Sequence, residues 1–497
     1  MPASERTRFA VSRGLFLRLL GAVYGVAFLS LAPQLPGLVG SEGLLPAAAY
    51  LERVYEVQGA EAYYRLPTLL WLWPGDGLLL GLCWAGVALS AAAVAGIAPI
   101  ATFAGLWLCY LSLTVAGQDF LSFQWDVLLL EAGLLAVVYS PPGWRLALGS
   151  ASEPGAAARW LVWGLAFKLT FLSGITKLLS GDETWWGLTA LRYHYETQPI
   201  PTWLGWYAHQ APAWIATLST AVMFAIELAA AFVILLPPRF RQVRLTGFAL
   251  LCLLQALIAL TGNYGFFNLL TVVLYLSLLD DATLRRVLPG LGAHRSKPAP
   301  ARGDSLGRRA AVGVLAAVLA TLSAYTFVRE IRRPDPMPEW SASAFGWVAP
   351  FRSVNGYGLF RSMTVERPEI VVEGSADGIT WTEYPFRWKP GDPNRAPGFV
   401  QPHMPRLDWQ MWFAALGPRA EAHWLFPLAG HLLDPSPAVL SLLDEDNNPF
   451  PDEPPRFVRL VLYDYRFTTL AGGAGDAWWR RELIAYLTEP IARGDLR

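Results

Sequence analysis

Trp160-Leu-Val-Trp-Gly-Leu-Ala-Phe-Lys168-Leu-Thr-Phe-Leu-Ser-Gly-Ile-Thr-Lys177-Leu-Leu179 is an apolar run interrupted by two lysines. A run of about 20 apolar residues spans the hydrocarbon core of a bilayer, so this stretch reads as a transmembrane helix. A charge at mid-span costs roughly 2.5–3.5 kcal/mol on insertion scales, so each lysine must face a polar interior or a partner. Nine residues correspond to about 900° of helical rotation and about 13 Å of rise. Lys168 and Lys177 therefore point to roughly opposite faces, which predicts different partners.

Working outward, the chain has 497 residues, of which 54% are hydrophobic and 16% charged. Soluble domains carry about 25% charged residues, so the composition is that of a membrane protein. Formal net charge is zero, which gives no case for nucleic acid. Cys83, Cys109 and Cys252 all lie in apolar runs without a C-x-x-C pair, which excludes a thiol–disulfide enzyme.

Hydropathy predicts about nine spans, over residues 19–38, 77–96, 99–116, 121–140, 160–179, 214–236, 245–261, 266–279 and 310–327. The N-terminal run is read as an uncleaved first span. Basic residues collect before the first span and in the loops after the fourth, sixth and eighth (Arg6, Arg8, Arg13, Arg18; Arg145, Arg159; Arg239, Arg241, Arg244; Arg285 to Arg309). By the positive-inside rule these loops are cytoplasmic. Loop 33–67, the 117–119 and 261–264 turns, the Trp-, Tyr- and His-rich connector 177–213 and everything after Arg329 then share the opposite side.

The domain division follows: a multi-span part over 1–287, a basic cytoplasmic linker over 288–309, a last helix over 310–328, and an α+β, β-rich domain over 335–497. Glu369–Glu373 and Thr380–Trp388 flank an Asp377-Gly378 turn, a hairpin signal. Residues 457–467 read as a strand, and 408–416, 438–443 and 478–487 as short helices.

Asp126 and Glu131 lie inside a span and are the natural counter-charges for the two lysines. They form either a structural ion pair or an acid/base or ligand site. Lys177, near the mouth of its span, is either a snorkelling lysine or a base of lowered pKa. Lys168, Asp182, Trp185, Trp186, Arg192, His194, Glu196, His209, Asn263 and Asn268 are expected around one vestibule, with Glu227 and Tyr264 beside them or in helix–helix hydrogen bonds. The His194, Glu196 and His209 spacing matches no defined metal site, and no metal or cofactor is expected. No nucleophile elbow, P-loop, dinucleotide fingerprint or H-E-x-x-H is present.

Five blocks resemble the lipase maturation factor family: residues 120–131 (FLSFQWDVLLLE), 167–199, 262–270 (GNYGFFNLL), 354–363 (VNGYGLFRSM) and 405–415 (PRLDWQMWFAA). The resemblance implies a polytopic membrane protein with a large C-terminal domain that engages client lipases. It points to Asn355, Tyr357, Phe360, Arg361, Arg406, Asp408, Trp409 and Trp412 as client contacts. Exported proteins such as lipases, and membrane lipid, are the implied partners. The Ala/Gly/Arg-rich makeup, without a glycosylation sequon or retention tail, suggests a bacterial inner membrane with a periplasmic C-terminal domain; a eukaryotic chain would sit in the ER membrane. Gly174-Ile-Thr-Lys177-Leu with Trp185 is similar to a segment of gamma-carboxylase-like membrane enzymes, which implies Lys177 as the base on a quinone or lipid, tuned by Asp126 or Glu131. A maturation factor, such an enzyme and a passive scaffold are the readings carried forward.

Overall fold

A computed structural model describes residues 8–146, 153–289, 306–417, 422–470 and 477–496. The linker expected at 288–309 lies for the most part outside them. Helices α1 (Ala10–Leu31), α2 (Asp76–Ala95), α3 (Pro99–Ala116), α4 (Gln124–Tyr139), α5 (Ala156–Leu179), α6 (Ala213–Phe224), α7 (Arg241–Thr261), α8 (Phe267–Leu276) and α9 (Leu306–Arg332) build the membrane part. Beyond Phe224 the α6 rod runs on through a π-helical turn, Ala225–Ala229, into a 3-10 segment, Ala230–Leu235.

Among the described residues seven helices are long and apolar enough to cross a membrane, or eight if α8 and Asp281–Val287 form one span bent by 117°. This corrects the expected nine. α4 has 16 residues and α8 has 10, so they rise only about 24 and 15 Å against a core of about 30 Å. The first span also begins at Ala10 rather than residue 19 and ends at Leu31, with Leu35–Val39 a separate short helix. It accommodates two arginines expected outside it: Arg13 is buried, and Arg18 donates to the Leu146 carbonyl.

The two ends of the bundle are built differently. At one end the Asp281 carboxylate accepts the Ala10, Val11 and Ser12 N–H groups at 2.9–3.2 Å, satisfying donors that a helix N-terminus leaves open. There Arg244 donates to the Ile234, Leu236 and Leu278 carbonyls and closes the C-terminal ends of two helices. The basic loops thus gather at this end. At the other end lie loop 33–67, the 117–123 turn, the 180–213 connector and the 262–265 turn, and each of them contacts the C-terminal domain.

That domain carries a five-stranded antiparallel sheet with β1 (Pro368–Ser375), β2 (Thr382–Glu383), β3 (Phe457–Phe467), β4 (Trp479–Tyr486) and β5 (Ile491–Ala492). The order is β2-β1-β3-β4, with β5 also on β3. The hairpin around Asp377-Gly378 and the strand at 457–467 are present as expected, and α10 (Arg406–Leu416) covers the expected helix at 408–416. The helix expected over 478–487 is instead β4. Its Ala, Leu, Glu and Arg suit a helix, but β3 offers an open edge, and Phe467↔Trp479 to Val461↔Tyr486 pair along it. Pairing with a neighbour overrides local propensity.

Candidate functional site

α4 enters the bundle directly after the Phe120–Phe123 turn, and its first two turns carry both acids. Asp126 is fully buried and takes two bonds from Arg406 of α10, at 2.6 and 2.8 Å, and one from the Tyr110 hydroxyl at 2.6 Å. Burial works against the Arg406 charge, yet Asp126 and Tyr110 hold its pKa above the ordinary value. One and a half turns on, Glu131 accepts Lys168 Nζ at 2.6 Å. Its second oxygen accepts the Tyr357 hydroxyl at 2.8 Å and the Asn355 N–H at 3.0 Å. Both acids therefore tie the bundle to chain beyond the last span.

Lys177 meets none of Asp126, Glu131, Asp182 or Glu183. It donates to both oxygens of Glu227, at 2.8 and 3.1 Å, inside the π-helical turn that follows α6, and its ammonium lies 5.3 Å from the Trp185 ring. The extra residue of that turn sets Glu227 toward α5, and π-turns recur at functional sites. Gly174 gives α5 and this turn room to approach, since a Cβ there would lie 2.9 Å from Glu227 Cβ. The lysines do have different partners, but Asp126 serves neither of them.

Above α4 the junction with α10 is aromatic. Trp125 packs on Phe123 at 4.6 Å and on Trp409 at 4.7 Å, and Phe413 stacks on Phe123 at 5.9 Å. These rings line a groove of about 650 Å³, together with Phe360 and Trp424. The indole N–H groups of Trp125 and Trp409 are buried without an acceptor. Phe413 and Leu416 are exposed on its rim.

The client contacts implied by the resemblance lie at the seam between the C-terminal domain and the bundle. Tyr357, Arg406, Asp408, Trp409 and Trp412 are buried; Asn355, Phe360 and Arg361 are half-buried. Asp408 accepts the Trp388 and Lys389 N–H groups, and Trp412 donates to the Thr197 carbonyl. They seat the domain on the bundle, and Phe360 and Trp409 also line the groove that carries Phe413 on its rim.

None of the ten expected vestibule residues lines this groove. Asp182 caps a short helix and accepts the Met363 N–H at 2.7 Å; partial burial works against its charge, but Thr184 and Met363 hold its pKa below the ordinary range. Trp185 is buried and donates to the Phe360 carbonyl, whereas Trp186 and Arg192 are exposed. His194 pairs with the Tyr264 hydroxyl at 3.0 Å and packs edge-on to Phe360; burial and the Lys177 charge push it down to about 4. Glu196 accepts the Phe467 N–H at 2.9 Å and lies 3.8 Å from His209, so that His209 and His194 have separate partners. Asn263 bridges to Gly398 and Val400, and Asn268 to Gln255. Lys168 lies below, with Glu131.

Arg367, which no sequence pattern singles out, joins the connector to the sheet. Fully buried at the start of β1, it donates to the Glu196, Gln198 and Pro199 carbonyls and to Glu369. Burial pulls its pKa down and Glu369 opposes the shift.

Two family models match the chain: "Lipase maturation factor transmembrane domain" over residues 11–286 and "Lipase maturation factor C-terminal domain" over 353–488. Lipase maturation factor 2 of Gallus gallus is 38% identical over 97% of this chain and 82% of its own length. The Homo sapiens protein of that name is 36% identical over 97% and 83%. Lipase maturation factor 1 of Bos taurus is 36% identical over 98% and 90%. No solved structure matches. The gamma-carboxylase resemblance around Lys177 finds no support in these matches. Since the acids of α4, the connector and the α10 junction all fall within the matched stretches, the chain belongs to the lipase maturation factor family.

Proposed function

We propose that this chain is an integral membrane maturation factor that holds exported lipases during folding and assembly, with the aromatic groove beside α10 as the client-facing surface. The observation that carries the reading is a groove lined by Phe123, Trp125, Phe360, Trp409 and Trp424, whose apolar rim at Phe413 and Leu416 is open. Partly folded chains expose the apolar surface such a rim accepts. The relatives' names supply the client class.

The basic end of the bundle faces the cytosol in this reading, by the positive-inside rule. The domain over 335–497 then faces the ER lumen, or the periplasm if the chain is bacterial, and 288–309 is a cytosolic linker to the last span. The test is co-expression of an exported dimeric lipase in cells lacking their own maturation factor. Wild-type chain is expected to raise secreted lipase activity per molecule of lipase, and Phe413→Asp, a change at an exposed position, to remove most of the gain. Equal activity with and without the chain overturns the reading.

A further inference from the structure

Next to the aromatic groove, with Gln124 and Gly358 lining both, a second cavity of about 320 Å³ opens where α9 ends. Four guanidinium groups line it: Arg329 and Arg333 of the α9 end, Arg352 and Arg361 of the following loop. A single carboxylate, Glu330, answers three of them, at 3.0 Å from Arg333 and 3.7 Å from both Arg329 and Arg361. Arg352 instead donates to the Thr114 carbonyl at 3.0 Å, and burial pulls its pKa below the ordinary value. Glu330 is the one acid among the described residues that line the cavity, and Asp126 and Glu131 of the neighbouring α4 are committed to Arg406 and Lys168.

The end of a helix contributes about half a negative charge. With Glu330 that leaves roughly two and a half of the four positive charges unanswered, at the rim of a membrane, where screening by water is reduced. Arg329 Nε is buried without an acceptor, and its guanidinium is held 5.1 Å above the Phe345 ring. The loop is shaped to keep this crowd together. Arg352 and Phe360 both take left-handed backbone, φ 48° and 52°, which non-glycine residues adopt at a cost. Gly356 lies so close over Glu330 that a Cβ would stand 2.3 Å from its carboxylate oxygen.

We propose that this cavity is an oxyanion site that takes a phosphate group, with Arg329, Arg333, Arg352 and Arg361 as its donors. Guanidinium forks match phosphate oxygens in geometry and charge. Its place at the end of a membrane span, beside the exposed Trp340 and Trp347, puts it at the depth of lipid headgroups. A phospholipid and free phosphate share the chemistry, and the experiment separates them.

The full chain, purified in detergent, is examined by native mass spectrometry and thermal unfolding with phosphatidylglycerol, phosphatidylcholine or inorganic phosphate. Phosphatidylglycerol is expected to be retained over phosphatidylcholine. Arg361→Gln should weaken that retention about tenfold to a hundredfold, the equivalent of one charge-assisted bond. Arg333→Gln, at the exposed edge, gives the same direction if Arg361→Gln fails to fold, and Arg286→Gln at the opposite end leaves retention unchanged. Inorganic phosphate that raises Tm and displaces the lipid supports a site open to free anion; phosphate without effect beside retained lipid supports the lipid as its source. Equal retention of both lipids with no response to phosphate overturns the proposal, as does retention indifferent to both arginine substitutions.

Discussion

Lys168 shares Glu131 with Tyr357 and Asn355, groups that follow the last span, while Lys177 keeps to Glu227 in the bundle and to the ring of Trp185. The first pair is complete only when segments more than 180 residues apart in sequence have met; the second needs membrane helices and their connector. A buried ion pair of either kind is weak evidence for stability, because desolvation offsets most of its attraction, but losing one partner is severe. The difference lies in what else comes loose.

Glu131→Ala should have the largest effect. It leaves the Lys168 ammonium with the Ser323 hydroxyl but no counter-charge and frees two donors of the 355–357 loop, a loss of about 3–5 kcal/mol. Thermal unfolding in detergent reads the loss, and limited proteolysis should show new cleavage between residues 333 and 361. An unchanged cleavage pattern would break the comparison.

Glu227→Gln removes the charge but leaves an acceptor for Lys177, so the low end, about 3 kcal/mol, is expected. Cleavage around 333–361 should stay at the wild-type level. If both variants open that loop alike, the two lysines do the same job. Tyr357→Phe sharpens the contrast by deleting one bond to a charged acceptor that keeps Lys168 and Asn355. About 1.5 kcal/mol is expected, again with faster cleavage of the loop.

The mildest test is titration of the connector. The folded His194 pKa of about 4 lies below the ordinary 6.5, so between these values the unfolded chain binds the proton first. Its contribution is complete above pH 6.5 and is lost as pH falls toward 4. Tm against pH should decline over that window, and His194→Gln should flatten the decline.

Much of this was legible. Hydropathy located the spans, the run over 457–467 read as the strand that is β3, and the nine-residue spacing predicted separate partners for the lysines. The partners themselves were not, because 280 residues separate Asp126 from Arg406 and no local pattern links them. α4 read as an ordinary span because an apolar run does not record where its helix stops; here the Phe120–Phe123 turn is recruited into the α10 junction instead. The expected helix at 478–487 failed for a related reason, since its conformation is set by β3. How α10 meets the bundle was not legible, because aromatics at a seam between domains look, in sequence, like aromatics at a free surface.

The Asp281 cap on α1 has a consequence in time. At 5–20 residues per second, roughly 15–50 s separate synthesis of Ala10 from that of the carboxylate that closes its helix. A helix made 271 residues before the carboxylate that caps it is thus finished late, and a nascent chain released before Asp281 would carry an open helix end.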